Sequence, residues 1–213
     1  MKILKINPEN PEKEVIDGAV EELKNGKVIV YPTDTVYGLG VNAMDEKGIK
    51  KIFEIKGRDF NKPISIIVKD IEMAKKVAEF DEKSEEILNK LLPGPLTLIL
   101  LKKNILPNIL TANTDKIGIR IPDYKFVKIL MENLDFPITT TSANISGSPA
   151  STDIQEILNQ FENQKIKPDL VLDAGILSES KPSTVLDLTG PKPKILRVGP
   201  VNKNELKEIF NNL

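Results

Sequence analysis

The sequence predicts an α/β protein built around a mixed, twisted β-sheet with flanking helices. Short apolar segments of strand length are interleaved with longer segments of helical periodicity, without a strict strand-helix-strand order. A chain of 213 residues is long enough to bury one substantial core, and it contains no internal repeat and no clear interdomain linker. We therefore predict a single domain over residues 1–213.

The N-terminal part predicts a helix, a short strand and a second helix. Residues 11–25 have helical periodicity and Gly26 as a stop, with one apolar face formed by Val15, Ile16, Ala19, Val20 and Leu23. Residues 27–31 predict a short apolar strand. After a loop, Asp45 is a suitable N-cap for a helix that carries Ile49, Ile52 and Phe53. Pro63 cannot continue that helix.

The rest of the chain alternates between strands and helices. Strands are predicted at residues 64–68, 97–101, 116–121, 137–141, 169–173, 183–188 and 194–198. Helices are predicted at residues 70–79, 82–92, 123–134, 153–161 and 203–211. A capping box formed by Thr152 and Gln155 is expected to begin the helix at residue 153.

The composition restricts the chemistry that the chain can perform. Histidine and cysteine are both absent, which excludes thiolate nucleophiles, disulfides, imidazole bases and metal sites built from these residues. Catalysis must use carboxylates, hydroxyls, ammonium and guanidinium groups, backbone amides or a hard metal such as magnesium. No segment approaches the ~18 uninterrupted apolar residues of a membrane span. The N-terminus also has no apolar region typical of a secretory signal, so we expect a cytoplasmic protein without membrane contact.

The basic residues are distributed unevenly between lysine and arginine. Of the 30 basic residues, only Arg58, Arg120 and Arg197 are arginines. A chain that meets its need for surface charge with lysine can keep arginine for positions that require a planar, bidentate donor. Chance loss of arginine is the alternative interpretation.

The segment YPTDTVYGLG at residues 31–40 follows a buried strand and carries almost no charge. It is either an ordinary exit from a strand or the floor of a pocket whose charged walls come from elsewhere, with Gly38 and Gly40 letting the backbone turn tightly. Residues 38–43, GLGVNA, match the dinucleotide-binding pattern G-x-G-x-x-A. That pattern requires its first glycine directly after the strand and its last position inside a helix. Since neither condition is met, we do not predict a dinucleotide site.

The segment KGRDFNK brings Lys56, Arg58 and Lys62 together at a junction between a helix and a strand. A solvated run of charge is the simplest interpretation. If the segment is extended, Lys56 and Arg58 point to the same side and suit a polyanion such as a triphosphate. The junction would then direct both side chains along one edge of the sheet.

The segment TTTSANISG follows a predicted strand and contains many small hydrogen-bonding side chains. It is either a polar loop or a turn that holds a phosphate or an amino acid, because hydroxyls and backbone amides can approach a ligand closely. Arg120 lies between Ile119 and Ile121, where an unpaired charge would be costly if buried. It therefore needs an anionic partner, and a ligand carboxylate would serve.

Seven segments, in this order, resemble the YrdC-like family of threonylcarbamoyl-AMP synthases: YPTDTVYGLG, KGRDFNKPISI, LLPGPLTLIL, GIRIP, TSANISG, STVLDLT and ILRVG. The resemblance covers about residues 10–200. It implies an α/β fold with a large concave cavity and a nucleotidyltransferase reaction. In that reaction L-threonine, bicarbonate or CO2, and ATP give threonylcarbamoyl-AMP and pyrophosphate. The product feeds the N6-threonylcarbamoylation of adenosine 37 in tRNA.

The resemblance also implies roles for ten residues. The residues implied for ATP are Lys56, Arg58, Ser142, Asn144, Ala150 and Arg197, of which Lys56 and Arg58 are the candidate catalytic residues. The residues implied for threonine are Thr33, Arg120, Thr140 and Ser183, with Arg120 on the carboxylate. Mg²⁺ is expected to arrive with ATP rather than in a metal site of the protein. Ile67 occupies a position where some members carry histidine.

The resemblance implies a downstream threonylcarbamoyl transferase as a partner and tRNA as a further candidate. The chain resembles the short form of the family, which lacks the additional C-terminal domain of longer members. Two alternatives stay open. One is an RNA-binding module, against which the net charge of −1 argues. The other is a related domain that uses carbamoyl phosphate, although the cysteine motifs of such proteins are absent.

Overall fold

The computed structural model describes residues 1–204 and 206, and these residues form a mixed β-sheet with surrounding helices. The strands are β1 (Lys2–Lys5), β2 (Ile29–Tyr31), β3 (Gly38–Gly40), β4 (Ser65–Ile67), β5 (Leu96–Leu101), β6 (Lys116–Arg120), β7 (Ile138–Ser142), β8 (Leu170–Asp173), β9 (Thr184–Asp187) and β10 (Lys194–Arg197). The helices are α1 (Lys13–Lys24), α2 (Glu46–Lys56), α3 (Ile71–Val77), α4 (Glu82–Leu91), α5 (Lys125–Glu132) and α6 (Ile154–Glu162). A short 3-10 helix spans Asn108–Thr111. The predicted fold class is confirmed.

The strand order in the sheet is β1-β8-β2-β3-β7-β4-β6-β5-β9-β10. Strand β8 is parallel to both β1 and β2, and the pairs β4–β6 and β5–β9 are also parallel. The remaining pairs are antiparallel. This mixture explains why the sequence shows no strict alternation of strands and helices, since antiparallel neighbours need no helical crossover.

The segment at residues 31–40 forms the turn and second strand of a β-hairpin. Strands β2 and β3 pair in an antiparallel register, with Tyr31 opposite Gly38 and Ile29 opposite Gly40. The expectation that the two glycines allow a tight turn is wrong, because both lie within β3. Their function is to make room for the Tyr31 ring. A Cβ atom would lie 2.8 Å from Tyr31 Cζ at Gly38 and 2.7 Å from Tyr31 Cε1 at Gly40.

The helix ends follow the sequence signals at most positions. Helix α1 is followed by Gly26 in a left-handed conformation (φ 69°), and the Asp45 carboxylate accepts a hydrogen bond from Lys47 N at 3.0 Å. The predicted capping box at Thr152 is wrong. Asp153 is the N-cap of α6, and its Oδ1 atom accepts from Gln155 N at 2.8 Å. Because Asp153 directly precedes the helix, its carboxylate reaches that N–H group.

Three elements of the structure were not predicted, and a fourth, predicted element cannot be compared with it. Strands β1 and β3 and the 3-10 helix were not predicted. Strand β1 is an edge strand with a largely exposed, lysine-containing sequence. The terminal helix predicted at residues 203–211 lies mostly outside the described residues. None of the described helices has the length and hydropathy needed to cross a membrane.

The described residues bury two apolar clusters. The main cluster joins α1, α2 and α5 to the strands, with Leu23, Phe53 and Phe126 fully buried. The second cluster packs Leu88 of α4 against Leu98 of β5 and other residues of that end of the sheet. Packing on this scale holds the strands rigidly, and the strands in turn fix the side chains of the site described below.

Candidate functional site

A polar cavity of about 290 Å³ lies between the loop after β2 and several strands of the sheet. Seven of the ten predicted site residues line it: Thr33, Arg58, Arg120, Thr140, Ser142, Ser183 and Arg197. The other three, Lys56, Asn144 and Ala150, do not appear in the lining. A second, more apolar groove of about 760 Å³ lies around Pro93 and Tyr124, and none of the ten residues lines it. The smaller cavity is therefore the candidate site, because the predicted chemistry converges there.

Lys56 is buried beside the cavity and holds the loop that follows β7. Its side chain is 1% exposed, and Nζ donates to Ser142 O at 2.5 Å, Asn144 O at 2.7 Å and Asn144 Oδ1 at 3.1 Å. The expectation that Lys56 and Arg58 alternate along an extended segment is wrong, since Lys56 ends α2 and Gly57 is left-handed (φ 56°). Burial lowers the pKa of Lys56 to about 7, and the nearby charge of Arg58 adds to this effect.

The loop after β7 is shaped by its own polar side chains. Ser142 Oγ donates to Asn144 Oδ1 at 2.5 Å, and Asn144 Nδ2 donates to Ile145 O at 3.0 Å and Ser148 O at 2.6 Å. The backbone N–H of Ser146 donates to Lys56 O at 2.7 Å, which joins the loop to the end of α2. Asn144 and Lys56 thus fix the loop from behind, and Ser142 is at the cavity surface.

Arg58 lines one wall of the cavity and is held by a turn of its own segment. Its Nε atom donates to Lys62 O at 3.2 Å, and Nη2 donates to Pro63 O at 2.9 Å. Burial lowers the pKa of Arg58, while the charge of Asp59 opposes that shift. The two carbonyl groups orient the guanidinium without neutralising its charge.

Arg197, at the end of strand β10, also lines the cavity. Its Nε atom donates to Ser183 O at 2.9 Å, and Nη2 donates to Ser183 Oγ at 3.2 Å. Ser183 Oγ also lies 2.8 Å from Thr97 Oγ1 of β5, so Ser183, which directly precedes β9, joins β10 to β5 by hydrogen bonds. Partial burial lowers the pKa of Arg197, and the positive charge of Arg120 lowers it further. Arg120 and Arg197 are therefore close enough to repel one another.

Arg120 forms an internal ion pair that sequence reasoning missed. Its Nη2 atom lies 2.7 Å from Asp34 Oδ1, and the two side chains are 9% and 8% exposed. Burial raises the pKa of Asp34, and the charge of Arg120 opposes that shift. The predicted anionic partner of Arg120 exists, but the protein itself supplies it. Asp34 is the one acidic residue of the segment at residues 31–40, and this was the available signal.

The loop after β2 is held by threonine hydroxyls. Thr33 Oγ1 donates to Val36 O at 2.6 Å and accepts from Thr35 N at 3.1 Å. Thr35 Oγ1 lies 3.2 Å from Thr33 Oγ1 and accepts from Arg120 Nη2 at 3.4 Å. Thr140, on β7, is 7% exposed. The segment at residues 31–40 is thus both a strand exit and part of the cavity wall.

The cavity can bind and orient anions but offers few groups for other chemistry. Among the described residues, its lining contains three guanidinium groups and several hydroxyls and no carboxylate. The described part of the chain also has no group of three acidic residues close enough to hold a metal ion. The arrangement therefore favours reactions that depend on positioning reactants and stabilising negative charge.

Comparisons with known proteins agree with this geometry. A protein of Methanocaldococcus jannaschii, provisionally named a threonylcarbamoyl-AMP synthase, is 42% identical over 206 residues, covering 95% of this chain and 96% of that protein. The threonylcarbamoyl-AMP synthase of Pyrococcus abyssi is 35% identical over 192 residues, covering 90% of this chain and 56% of that protein. The chain thus spans nearly the full length of the first relative and about half of the second.

Solved structures extend the likeness to three dimensions. The structure of Pyrococcus abyssi Sua5 complexed with L-threonine has a TM-score of 0.92 at 33% identity, covering 100% of this chain and 62% of that chain. The structure of Escherichia coli YciO has a TM-score of 0.84 at 30% identity, covering 95% of this chain and 98% of that chain. The Sua5/YciO/YrdC family model, described as "Telomere recombination", matches residues 21–199. The match of sequence, fold and ordered motifs confirms the resemblance, and the chain belongs to the Sua5/YciO/YrdC family.

Proposed function

We propose that the chain is an L-threonylcarbamoyladenylate synthase, a nucleotidyltransferase that converts L-threonine, bicarbonate or CO2, and ATP into threonylcarbamoyl-AMP and pyrophosphate. The observation that carries this proposal is the convergence of all three arginines, with serine and threonine hydroxyls, on one polar cavity. The names of the Methanocaldococcus jannaschii and Pyrococcus abyssi relatives and the L-threonine in the Pyrococcus abyssi structure support it.

The substrates are distributed between the arginines in this proposal. Arg120, with Thr33, Thr140 and Ser183 nearby, receives the amino acid, and Arg58, Arg197 and Ser142 receive the phosphates. Lys56 and Asn144 act on the nucleotide by shaping the loop that carries Ser142. A volume of about 290 Å³ suits an amino acid and the reacting phosphates better than a whole ATP molecule. The adenosine therefore extends over the loop toward Ala150.

The chemistry needs no protein nucleophile. The neutral amine of threonine adds to the carbon of CO2 and loses one proton to solvent, which gives a carbamate. A carbamate oxygen then bonds to the α-phosphorus as the bond to the bridging oxygen breaks and pyrophosphate leaves. Arg58 and Arg197 stabilise the negative charge that develops on the phosphates, and the cavity aligns the two reactants.

Magnesium belongs to the substrate MgATP in this scheme. Mg²⁺ is usually bound by substrate phosphates, water and one or two carboxylates. Since the described lining offers hydroxyls but no carboxylate, the phosphates and water must supply most of its ligands. The product is consumed by a threonylcarbamoyl transferase that modifies tRNA, and we assign both steps to the cytoplasm, where tRNA and ATP are available.

Pyrophosphate release from ATP tests the proposal directly. We expect release to require both L-threonine and bicarbonate, and mass spectrometry of the product to show threonylcarbamoyl-AMP. L-valine, which matches the shape of threonine without its hydroxyl, is the control substrate. Release that is independent of threonine and bicarbonate refutes the proposal. Release that depends on carbamoyl phosphate, or salt-sensitive tRNA binding without threonine-dependent ATP cleavage, would support one of the two alternatives instead.

A further inference from the structure

The three arginines of the cavity differ in what holds them. Arg58 and Arg197 donate to neutral groups, the carbonyls of Lys62 and Pro63 and the carbonyl and hydroxyl of Ser183. Arg120 alone among them forms an ion pair in the described part of the chain, and its partner is Asp34. In the described part of the chain no acid contacts Arg58 or Arg197, whereas the charge of Arg120 is balanced by Asp34.

The contact between Arg120 and Asp34 uses only part of each side chain. Nη2 of Arg120 donates to Oδ1 of Asp34 at 2.7 Å, while Arg120 Nε and Asp34 Oδ2 are buried and have no hydrogen-bond partner within residues 1–204 and 206. A bidentate contact would occupy both edges of the guanidinium. The one-point contact instead holds Arg120 through Nη2 and leaves its Nη1 group, for which no hydrogen bond is found among the described residues, to a ligand. Asp34 does not line the cavity, so it acts from behind Arg120.

The difference between Arg120 and the other two arginines bears on how the cavity distinguishes phosphate from carboxylate ligands. A guanidinium group binds phosphate and carboxylate with similar geometry, so three of them around a cavity of about 290 Å³ do not by themselves separate ATP from an amino acid. A buried negative charge beside one arginine weakens the potential there and repels a polyanion more strongly than a zwitterion. Among the residues that the structure describes, only the Arg120 end of the cavity has such a charge in contact with its arginine.

We propose that Asp34 is a specificity-determining residue that reserves the Arg120 end of the cavity for the amino-acid carboxylate and excludes phosphate from it. The proposal rests on the proposed function for the identity of the two ligands. Asp34 is a positioning residue in this role, because it acts through Arg120 and touches neither substrate.

NMR of the wild-type protein can show which arginines bind phosphate and which bind the amino acid. With only three arginines in the sequence, a sample labelled with ¹⁵N-arginine gives three Nε signals, which the variants Arg58→Lys, Arg120→Lys and Arg197→Lys assign by loss of one signal each. We expect inorganic pyrophosphate to shift the signals of Arg58 and Arg197 and to leave Arg120 unchanged. L-threonine should shift Arg120. A shift of the Arg120 signal by pyrophosphate in the wild type overturns the proposal.

The variant Asp34→Asn keeps the shape of the side chain and removes its charge. We expect pyrophosphate to shift the Arg120 signal in this variant, to become a competitive inhibitor against threonine, and to leave the KM for ATP nearly unchanged. The KM for threonine should rise about tenfold or more, because the loss of a buried charge partner is costly. A folded Asp34→Asn protein in which pyrophosphate still spares Arg120 overturns the proposal.

Two controls separate sorting from general stability. Asp169→Asn breaks the Lys51–Asp169 ion pair, which is also 2.7 Å long but lies outside the cavity lining. In this variant pyrophosphate should shift the signals of Arg58 and Arg197 and leave that of Arg120 unchanged, as in the wild type. Asp34→Glu retains the carboxylate and should also exclude pyrophosphate from Arg120. If Asp34→Asn does not fold, the pyrophosphate titrations of Asp34→Glu and of the wild type decide whether Asp34 excludes phosphate from Arg120. Absence of threonine-dependent pyrophosphate release from the wild-type protein would refute the proposed function, whereas wild-type turnover with unsorted arginine signals would refute only the role of Asp34.

Discussion

Replacement of Lys56 by methionine removes a buried ammonium group that anchors the loop after β7. The Nζ atom makes three hydrogen bonds, two to Asn144 and one to the Ser142 carbonyl, and the lysine is 1% exposed. Methionine is of similar length and can fill the space of the aliphatic stem. The substitution therefore removes the charge and the hydrogen bonds while it keeps most of the packing.

The charge of Lys56 should make stability depend on pH. Burial lowers its pKa from 10.5 to about 7 in the folded protein. Between these values the unfolded chain binds more protons, so the free energy of unfolding rises with pH by at most about 1.4 kcal/mol per unit. From pH 7 to pH 9 the free energy of unfolding therefore increases by about 2 kcal/mol in total. Below pH 7 the contribution becomes constant because both states are protonated. Tyr31 acts in the opposite direction at higher pH, since burial raises its pKa to about 12.

Urea unfolding at pH 7, 8 and 9 measures this effect, with circular dichroism as the signal because the chain has no tryptophan. The wild type should gain about 2 kcal/mol relative to Lys56→Met across this range. Lys51→Met is the matched control, since Lys51 lies on the same helix, with a side chain 31% exposed, and pairs with Asp169. Its pH profile should follow the wild type. Parallel profiles for the wild type and Lys56→Met would show that burial does not perturb the ammonium group, and the reasoning would fail.

Four further substitutions test separate parts of the structure. Arg58→Ala should slow pyrophosphate release by about ten- to a hundredfold, because a charge-assisted hydrogen bond contributes roughly 1.5–3 kcal/mol; an unchanged rate would contradict its assignment to the phosphates. Thr33→Val should raise the KM for threonine more than that for ATP, since its hydroxyl holds the turn beside Arg120; equal changes would contradict this. Gly40→Ala should lower the free energy of unfolding by about 2 kcal/mol in urea titrations, because its Cβ would lie 2.7 Å from the Tyr31 ring. Gly18→Ala, with no atom within 4 Å of its Cβ in α1, should instead raise it by up to about 1 kcal/mol, and a loss there would contradict the packing argument.

Hydrophobic periodicity correctly predicted the elements whose own residues show a regular apolar pattern. Helix α5, for example, has a buried face of Phe126, Val127, Leu130 and Met131, which matches the helical spacing in the sequence. Strand β3 has no such pattern, because Gly38-Leu39-Gly40 becomes a strand only through its pairing with β2 and β7. Strand β1 is similarly defined by its pairing with β8, far away in the chain. Elements that depend on distant partners leave a weak signal in a single sequence.

The composition of the site was easier to predict than its geometry. Seven of the ten residues line one cavity, although they come from segments far apart in the chain. The spacing of Lys56 and Arg58 suggested one extended surface, but the end of α2 and the left-handed Gly57 direct the two side chains differently. Lys56 is consequently buried against the loop, and Arg58 reaches the cavity. Sequence spacing predicts a common face only when the backbone conformation is known.

A deeply buried guanidinium needs an anion in the empty protein as well as in the complex, because an uncompensated buried charge strongly destabilises the fold. Sequence reasoning gave Arg120 a ligand carboxylate as its partner, which leaves the charge unbalanced whenever the ligand is absent. Asp34, 86 residues away in the chain, supplies the permanent partner. Arg58 and Arg197 are more exposed, so water can compensate their charge between turnovers. Burial of a binding arginine therefore implies an internal acid, and the single carboxylate in the otherwise uncharged segment at residues 31–40 was the residue to test for that role.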